Sequence, residues 1–462
     1  ATYSSGDGST ALVFRYTVAE GNTDSTDLSV SSITATLVDS AGNSFAGTVS
    51  GDLGAVIVDA NSPSFVSVAA ADATYKVDDN IDITVTFSEA VTKTGTPTLT
   101  LSNGATATYS SGDGSTALVF RYTVAEGNTD SADLSVSSYS GTIADSAGNA
   151  AAAVSGDLGA VIVDANSPAS FTTGSITTSG GTVVSNYLNN TNDNIVVTVP
   201  IANDSSLNGG SIQLEISIDG GAYANIGSPA TIAGANLGGT QNATITDNNV
   251  EALGAYAEGV ALTFKAKLTD TAGNSTTGGV SGTTITVDQA SPSVTLVSSN
   301  KLNGTYIKNQ NIFVQVLFSE NVIVNTTSGT PTLTLETGLS DADVNYSSGS
   351  TSDILTFEYT ILSGHNSSDL DYASENSLAL NSGTIRDQSG NDAVLTLPSP
   401  GSSGSLSESK NENVLKFVSK FSTQFSSHLE QPPEKLTVTS YIHQKAPVSC
   451  SVFLLPCLIE SR

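Results

Sequence analysis

Tryptophan and methionine are absent from this chain of 462 residues, and its only two cysteines, Cys450 and Cys457, both stand in the last 13. The preceding four hundred or so residues must therefore fold without disulfides. Cysteine-free acidic domains suit large secreted proteins that use metal in place of disulfides, and they suit the cytosol as well. Basic residues are scarce too, with 15 Lys and Arg against 44 Asp and Glu and a net charge of −29. That sign excludes an electrostatic footprint for nucleic acid or an anionic membrane surface and makes cations the natural counterions. No membrane-length apolar run is visible, so no membrane insertion is expected; no signal peptide is visible either, which means nothing in a chain that starts mid-repeat. Catalytic signatures are missing as well: there is no G-x-S-x-G elbow, P-loop or H-E-x-x-H, and the cysteine pair lacks histidine spacing for zinc. His365, the one histidine before the tail, lies in a Gly364-His365-Asn366-Ser367 turn where solvation is expected. Paired carboxylates are plentiful but recur in repeated turns, whereas a glycosidase needs one unique pair in a cleft. The chain is read as a non-enzyme.

What the sequence does have is repetition. Ala1 to Asn43 reappears as Ala107 to Asn149, with changes only at positions 26, 33, 34, 35, 37 and 38. The offset is that of one sandwich-sized domain, so the chain is expected to be a tandem array that begins inside a repeat. Glycine is abundant at 42 residues, Ser, Thr, Asn and Asp are frequent, and 38% of residues are hydrophobic, enough for a series of modest β cores. The fold class expected is all-β, a beads-on-a-string array of immunoglobulin-like sandwiches.

Three similar segments divide the array: Val58-Asp59-Ala60-Asn61-Ser62-Pro63, Val163-Asp164-Ala165-Asn166-Ser167-Pro168 and Val287-Asp288-Gln289-Ala290-Ser291-Pro292. Each follows an apolar run, and the proline fixes φ and cannot donate to a sheet, so each reads as a last strand ending in a short stiff linker. Boundaries are placed accordingly: 1–59 as the C-terminal part of a repeat, 60–164 as a repeat, 165–288 as a divergent domain, 289–405 as a repeat and 406–462 as an atypical tail. Ile81, Ile83, Val85 and Phe87 alternate with polar residues, as do Ile312, Val314, Val316 and Phe318, which is the period of a strand with one buried face. Gly95 to Leu101, Gly329 to Leu335 and Leu118 to Val124 read as further strands. In the divergent unit, Leu214 to Tyr223 reads as a hairpin turning at Asp219-Gly220. The tail changes texture, holding six basic and four acidic residues from 410 onward, so the acid belongs to the repeats. Val414, Phe417, Val418, Phe421 and Phe425 have helical spacing; one short amphipathic helix and a frameshifted or fused end both remain open.

Asp-x-x-Gly-Asn occurs four times, at Asp39 to Asn43, Asp145 to Asn149, Asp270 to Asn274 and Asp387 to Asn391. Each that is followed by a linker precedes its Asp59, Asp164 or Asp288 by roughly one hairpin, so the two are expected to meet at one pole of the same unit. Asp78, Asp79 and Asn80 precede a strand that ends in Glu89; Asn192 with Asp193, Asn309 with Asn311, and Glu320 hold related positions in later units. Calcium takes six to eight oxygens at ~2.3 to 2.6 Å, and a junction could supply them from both sides. The candidate ligands are therefore Asp39, Asn43, Asp59, Asp78, Asp79, Glu89, Asp145, Asn149, Asp164, Asp193, Asp270, Asn274, Asp288, Glu320, Asp387 and Asn391. The alternative is a plain tight turn, with Asp capping backbone N–H groups and Gly-Asn supplying positive φ.

Ile81-Asp-Ile-Thr-Val-Thr-Phe-Ser-Glu89, Gly95-Thr-Pro-Thr-Leu-Thr-Leu101, Tyr109-Ser-Ser-Gly112, Leu118-Val-Phe-Arg-Tyr-Thr123 and Ser140 to Asn149 together resemble the bacterial immunoglobulin-like, cadherin-like repeats of giant secreted adhesins. The resemblance covers residues 1 to about 405 and is weakest in the third unit. It implies export to the cell surface or beyond, often by a type I route, with the repeats forming a calcium-stiffened adhesion stalk whose partners are calcium ions and neighbouring repeats. A competing reading gives the divergent unit a glycan- or protein-binding role through its loops, with Tyr187, Tyr223 and Tyr256 as candidates to stack on sugar.

Overall fold

The computed structural model describes residues 1–415. Three hydrophobic cores lie in succession along the chain, one for each unit after the first. No helix among the described residues is long and apolar enough to cross a membrane.

The second unit is organised around one long strand, Asn80–Leu101. Its first half pairs antiparallel with Ser115–Thr123 and with Phe65–Ala69. Its second half pairs with Ser135–Ala144 and with Thr106–Ser111. The register slips between Thr86 and Val91, so the two strands expected from sequence form one that bends and serves both layers. Ile81, Ile83, Val85, Phe87, Val91, Leu99 and Leu101 turn inward from it onto Leu118, Phe120, Tyr122 and Val124. Burying a side chain such as Phe120 contributes about 1.5–3 kcal/mol. On the outer face Arg121 grips Asp82 on the neighbouring strand through two hydrogen bonds of 2.7 and 2.8 Å. Gly141 is confined to glycine: its φ is +108°, and a Cβ there would stand 2.8 Å from Pro97 Cα. The unit closes with Val161–Val163 laid parallel to Ala73–Tyr75.

The fourth unit repeats this plan with the long strand Asn311–Asn325, paired to Val294–Ser299, Ser352–Thr360 and Thr384–Arg386. Its closing parallel pair joins Gly304–Tyr306 to Glu412–Val414, and Leu406 and Val414 lie in its core. The unit therefore runs past the boundary expected at 405. Val414, expected on a helical face, is instead a buried strand residue. The other residues of that proposed helix, Phe417, Val418, Phe421 and Phe425, lie outside the described part of the chain.

The third unit has no strand shared between layers. One sheet joins Ile176–Ser179, Asn194–Pro200 and Thr240–Thr246; the other is built on Ser211–Ile218 and Ala261–Thr269. A hairpin forms between Ser211–Ile218 and Ala224–Thr231, but its loop is residues 219–223 and not two residues; within it Asp219 and Gly220 both stand at positive φ, +49° and +74°, and the Gly221 N–H donates to the Ile218 carbonyl at 2.9 Å. The pair thus makes the expected local turn inside a longer hairpin loop. Residues 1–59 form short pairs, Thr2–Ser5 with Val13–Arg15 and Ser29–Val30 with Gly51–Asp52, and add no core of their own.

Candidate metal centres at the domain joints

Each Asp-x-x-Gly-Asn loop is held by its aspartate. Asp145 Oδ1 accepts from the N–H groups of Ala147, Gly148 and Asn149 at 2.7–2.9 Å, while Oδ2 accepts from Asn149 Nδ2 at 2.8 Å. Asp387 repeats the arrangement with Gly390 and Asn391. Turn chemistry is thus present, and it points the loop at a neighbour. Asn149 Nδ2 donates to the Asp59 carbonyl at 3.1 Å, Asn274 to that of Asp164 at 3.1 Å, and Asn391 to that of Asp288 at 2.9 Å. Each of these three loops therefore grips the linker that enters its own unit. This corrects the expected pairing, which joined each loop to the linker leaving it: Asp145 stands with Asp59, and Asp164 stands with Asp270. The cause is topological, since the loop returns to the pole where the chain enters the sandwich.

Two three-carboxylate groups result. In Asp59, Glu89 and Asp145, and again in Asp288, Glu320 and Asp387, one carboxylate oxygen per residue lies within 4.8 Å of the others. An ion ~2.4 Å from each ligand spans separations up to about 4.8 Å, and an all-oxygen anionic set suits a hard divalent cation. None of the three ion pairs among the described residues includes these carboxylates. Two like charges that far apart repel by about 3 kcal/mol at an effective dielectric constant of 20. Their titration reflects this. Burial and then the Asp59 and Asp145 charges push Glu89 up, while burial with Asp387 and Asp288 pushes Glu320 up. Asp288 and Asp164 are likewise raised by burial and by the charges of Asp387 and Asp270 respectively. Burial opposes ionisation of Asp145 most strongly, yet its hydrogen bonds outweigh that and hold it below the usual range.

The remaining expected ligands stand elsewhere. Asp39 and Asn43 are exposed and bond within their own loop. Asp79 accepts from Lys76 N, and Asp78 adopts a φ of +71° in the same turn. Asp193 packs against Gly180, and its N–H donates to the Ser179 carbonyl. These build turns rather than the three-carboxylate groups.

Sequence reading missed the carboxylates that hold the linkers from the preceding side. Glu20 accepts from Ser62 Oγ at 2.7 Å and Asp24 from the Ala60 N–H at 2.8 Å. Glu126 and Asp130 do the same for Ser167 and Ala165. The available signal was the recurrence of Glu-Gly-Asn-Thr-Asp at 20–24 and 126–130. His365, expected in solvent, is half-buried and stacks on Tyr359 with ring centroids 5.6 Å apart. Of the proposed sugar-stacking residues, Tyr256 packs on the core with its hydroxyl buried, and Tyr223 lies under Lys265 Nζ at 4.3 Å.

Comparison with known proteins gives a family for one unit. Residues 59–162 match the family model of a bacterial Ig-like domain. No curated protein matches the chain. Among solved structures, it is similar to part of a 1.5-MDa bacterial ice-binding adhesin, at 13% identity and a TM-score of 0.29 over 71% of this chain and 93% of that one. It is also similar to the FN1-FN3 domains of chicken CNTN1, at 11% identity and a TM-score of 0.23 over 71% and 95% of the two chains. Domains A168-A170 of titin give 7% identity and a TM-score of 0.23 over 71% and 94%. The chain is a tandem array of immunoglobulin-like β-sandwiches, of which residues 59–162 match the bacterial Ig-like domain.

Proposed function

We propose that this chain is part of the stalk of a bacterial adhesin, displayed at the cell surface or secreted, by a type I route, and that calcium at its joints holds successive sandwiches in line. The observation that carries the reading is the recurrence of one three-carboxylate group at two joints, each drawing on a linker aspartate, a glutamate within the unit's long strand and the loop aspartate. A divalent ion would offset their mutual repulsion and tie the linker to the following sandwich. The Asn149 and Asn391 amides set the linker in place, and the glutamates Glu20, Glu126 and Glu258 fix it from behind. The residues of the joints bind and position; none is arranged for bond-making.

The experiment is calorimetric titration of the chain with calcium, with magnesium as control. Magnesium demands tight octahedral geometry and keeps its water, so calcium should bind more strongly. The double variant Glu89→Gln, Glu320→Gln should lose most of the calcium heat while its sandwiches keep their melting transitions. Unaltered calcium binding in that variant would contradict the reading.

A further inference from the structure

The joints are not alike. Glu89 and Glu320 each stand inside the long strand of their unit, two residues beyond its buried phenylalanine, Phe87 and Phe318. In the third unit the residue two beyond buried Ile201 is Asn203, so the joint at Asp164 lacks that glutamate. It keeps Asp164 against Asp270. Asp270 is only 5% exposed; its Oδ1 accepts from the N–H groups of Gly273 and Asn274, while its Oδ2 is buried with no hydrogen-bond partner. The matching oxygens of Asp145 and Asp387 each accept from an asparagine amide at 2.8 Å. A buried carboxylate oxygen left without a donor is costly, and at a joint with Asp164 opposite, a cation is the partner that satisfies both.

Direct contacts differ in the same sense. Across the joint at Asp288, Asn189 Nδ2 donates to the Ser389 carbonyl at 2.7 Å and the Asn190 N–H to Asn391 Oδ1 at 2.8 Å. Across the joint at Asp164 the Val77 N–H donates to Asn274 Oδ1 at 2.9 Å. Affinity in oxygen-ligand sites rises with the number of ligand charges and with rigidity. Asp204, whose charge reaches Asp164, caps its own turn through Ser206, so among the described residues no third carboxylate groups with Asp164 and Asp270 as Glu320 does with Asp288 and Asp387, and the direct contacts are fewer than at Asp288.

We propose that the joint at Asp164 holds a weaker cation site than the one at Asp288, so that the array bends at Asp164 before it bends at Asp288 as calcium falls. The proposal rests on the reading of the joints as calcium sites. It is tested on the full chain with Cys450 and Cys457 changed to serine and nitroxide labels on cysteines at exposed positions. One pair, Thr108 with Thr244, spans the Asp164 joint; the other, Thr244 with Asn345, spans the Asp288 joint. On calcium titration the second distance distribution should narrow at a concentration about tenfold or more below the first. Asp270→Asn should abolish narrowing across the Asp164 joint alone, and Glu320→Gln should move the Asp288 transition up by about tenfold. Coincident transitions would overturn the inequality while leaving calcium joints standing. A chain that binds no calcium by calorimetry would overturn both.

Discussion

Residues 1–43 and 107–149 have nearly the same sequence and very different surroundings. Phe120 is 0% exposed and Phe14 39%; Val124 is 0% exposed and Val18 46%. Local structure survives in both. Tyr122 Oη and the Ala125 N–H donate to Asn128 Oδ1 at 2.9 Å, and Tyr16 Oη and the Ala19 N–H donate likewise to Asn22 at 2.9 and 2.8 Å. What differs is the strand Asn80–Leu101, which covers the inner face of the second copy and has no counterpart among residues 1–59. Turns are thus written locally, whereas burial is conferred by a strand some thirty residues upstream.

The largest test supplies that strand. A copy of residues 60–106 placed ahead of Ala1 should give the first unit a core, and amide exchange at Val13–Arg15 should slow by on the order of 5 kcal/mol of protection. Next, the same substitution in both copies should separate them: Phe120→Ala should destabilise the second unit by about 3–5 kcal/mol, and Phe14→Ala should change melting by less than about 0.5 kcal/mol. Equal effects would remove the distinction. A smaller contrast is expected in the loops, because Asn149 grips a linker carbonyl and Asn43 does not. Asn149→Ala should cost about 1–2 kcal/mol by chemical denaturation, and Asn43→Ala less than half of that.

The last test extends the comparison to the fourth unit, where His365 Nδ1 replaces the amide oxygen of Asn128: it accepts from the Leu362 N–H at 3.3 Å and meets Tyr359 Oη at 2.9 Å. Burial pulls His365 below its ordinary value of 6.5. A histidine depressed in the folded state binds more protons when unfolded, so its contribution is intact above the unfolded value and is lost as pH falls below about 6.5. His365→Asn, which keeps an acceptor, should remove that part of the acid sensitivity in melting of the fourth unit. A superimposable pH profile would show that the ring is not the titrating group.

The alternation at Ile81 to Phe87 and the Asp219-Gly220 turn were legible because both are encoded within a few residues. The loop aspartates and linker aspartates were legible as a recurring set. Their pairing was not, because it depends on which pole of the sandwich the Asp145 loop reaches, and only the path of the intervening strands decides that. The end of the fourth unit was hidden for a different reason. Its closing strand carries buried Glu412, hydrogen-bonded by Ser299 Oγ, and it lacks the Val-Asp-x-x-Ser-Pro signal that marks the other closing strands. The same positional logic makes Asp24 and Asp130 joint residues although neither lies in a linker.

Small-angle scattering of the chain during calcium titration, with magnesium at matched ionic strength, tests the central claim most directly. A metal-stiffened array predicts that the maximum dimension grows and the interdomain flexibility falls with calcium, and that Glu89→Gln with Glu320→Gln blunts both changes. Scattering curves that superimpose with and without calcium would contradict it, leaving the acidic loops as turns that grip the linkers through Asn149, Asn274 and Asn391 alone.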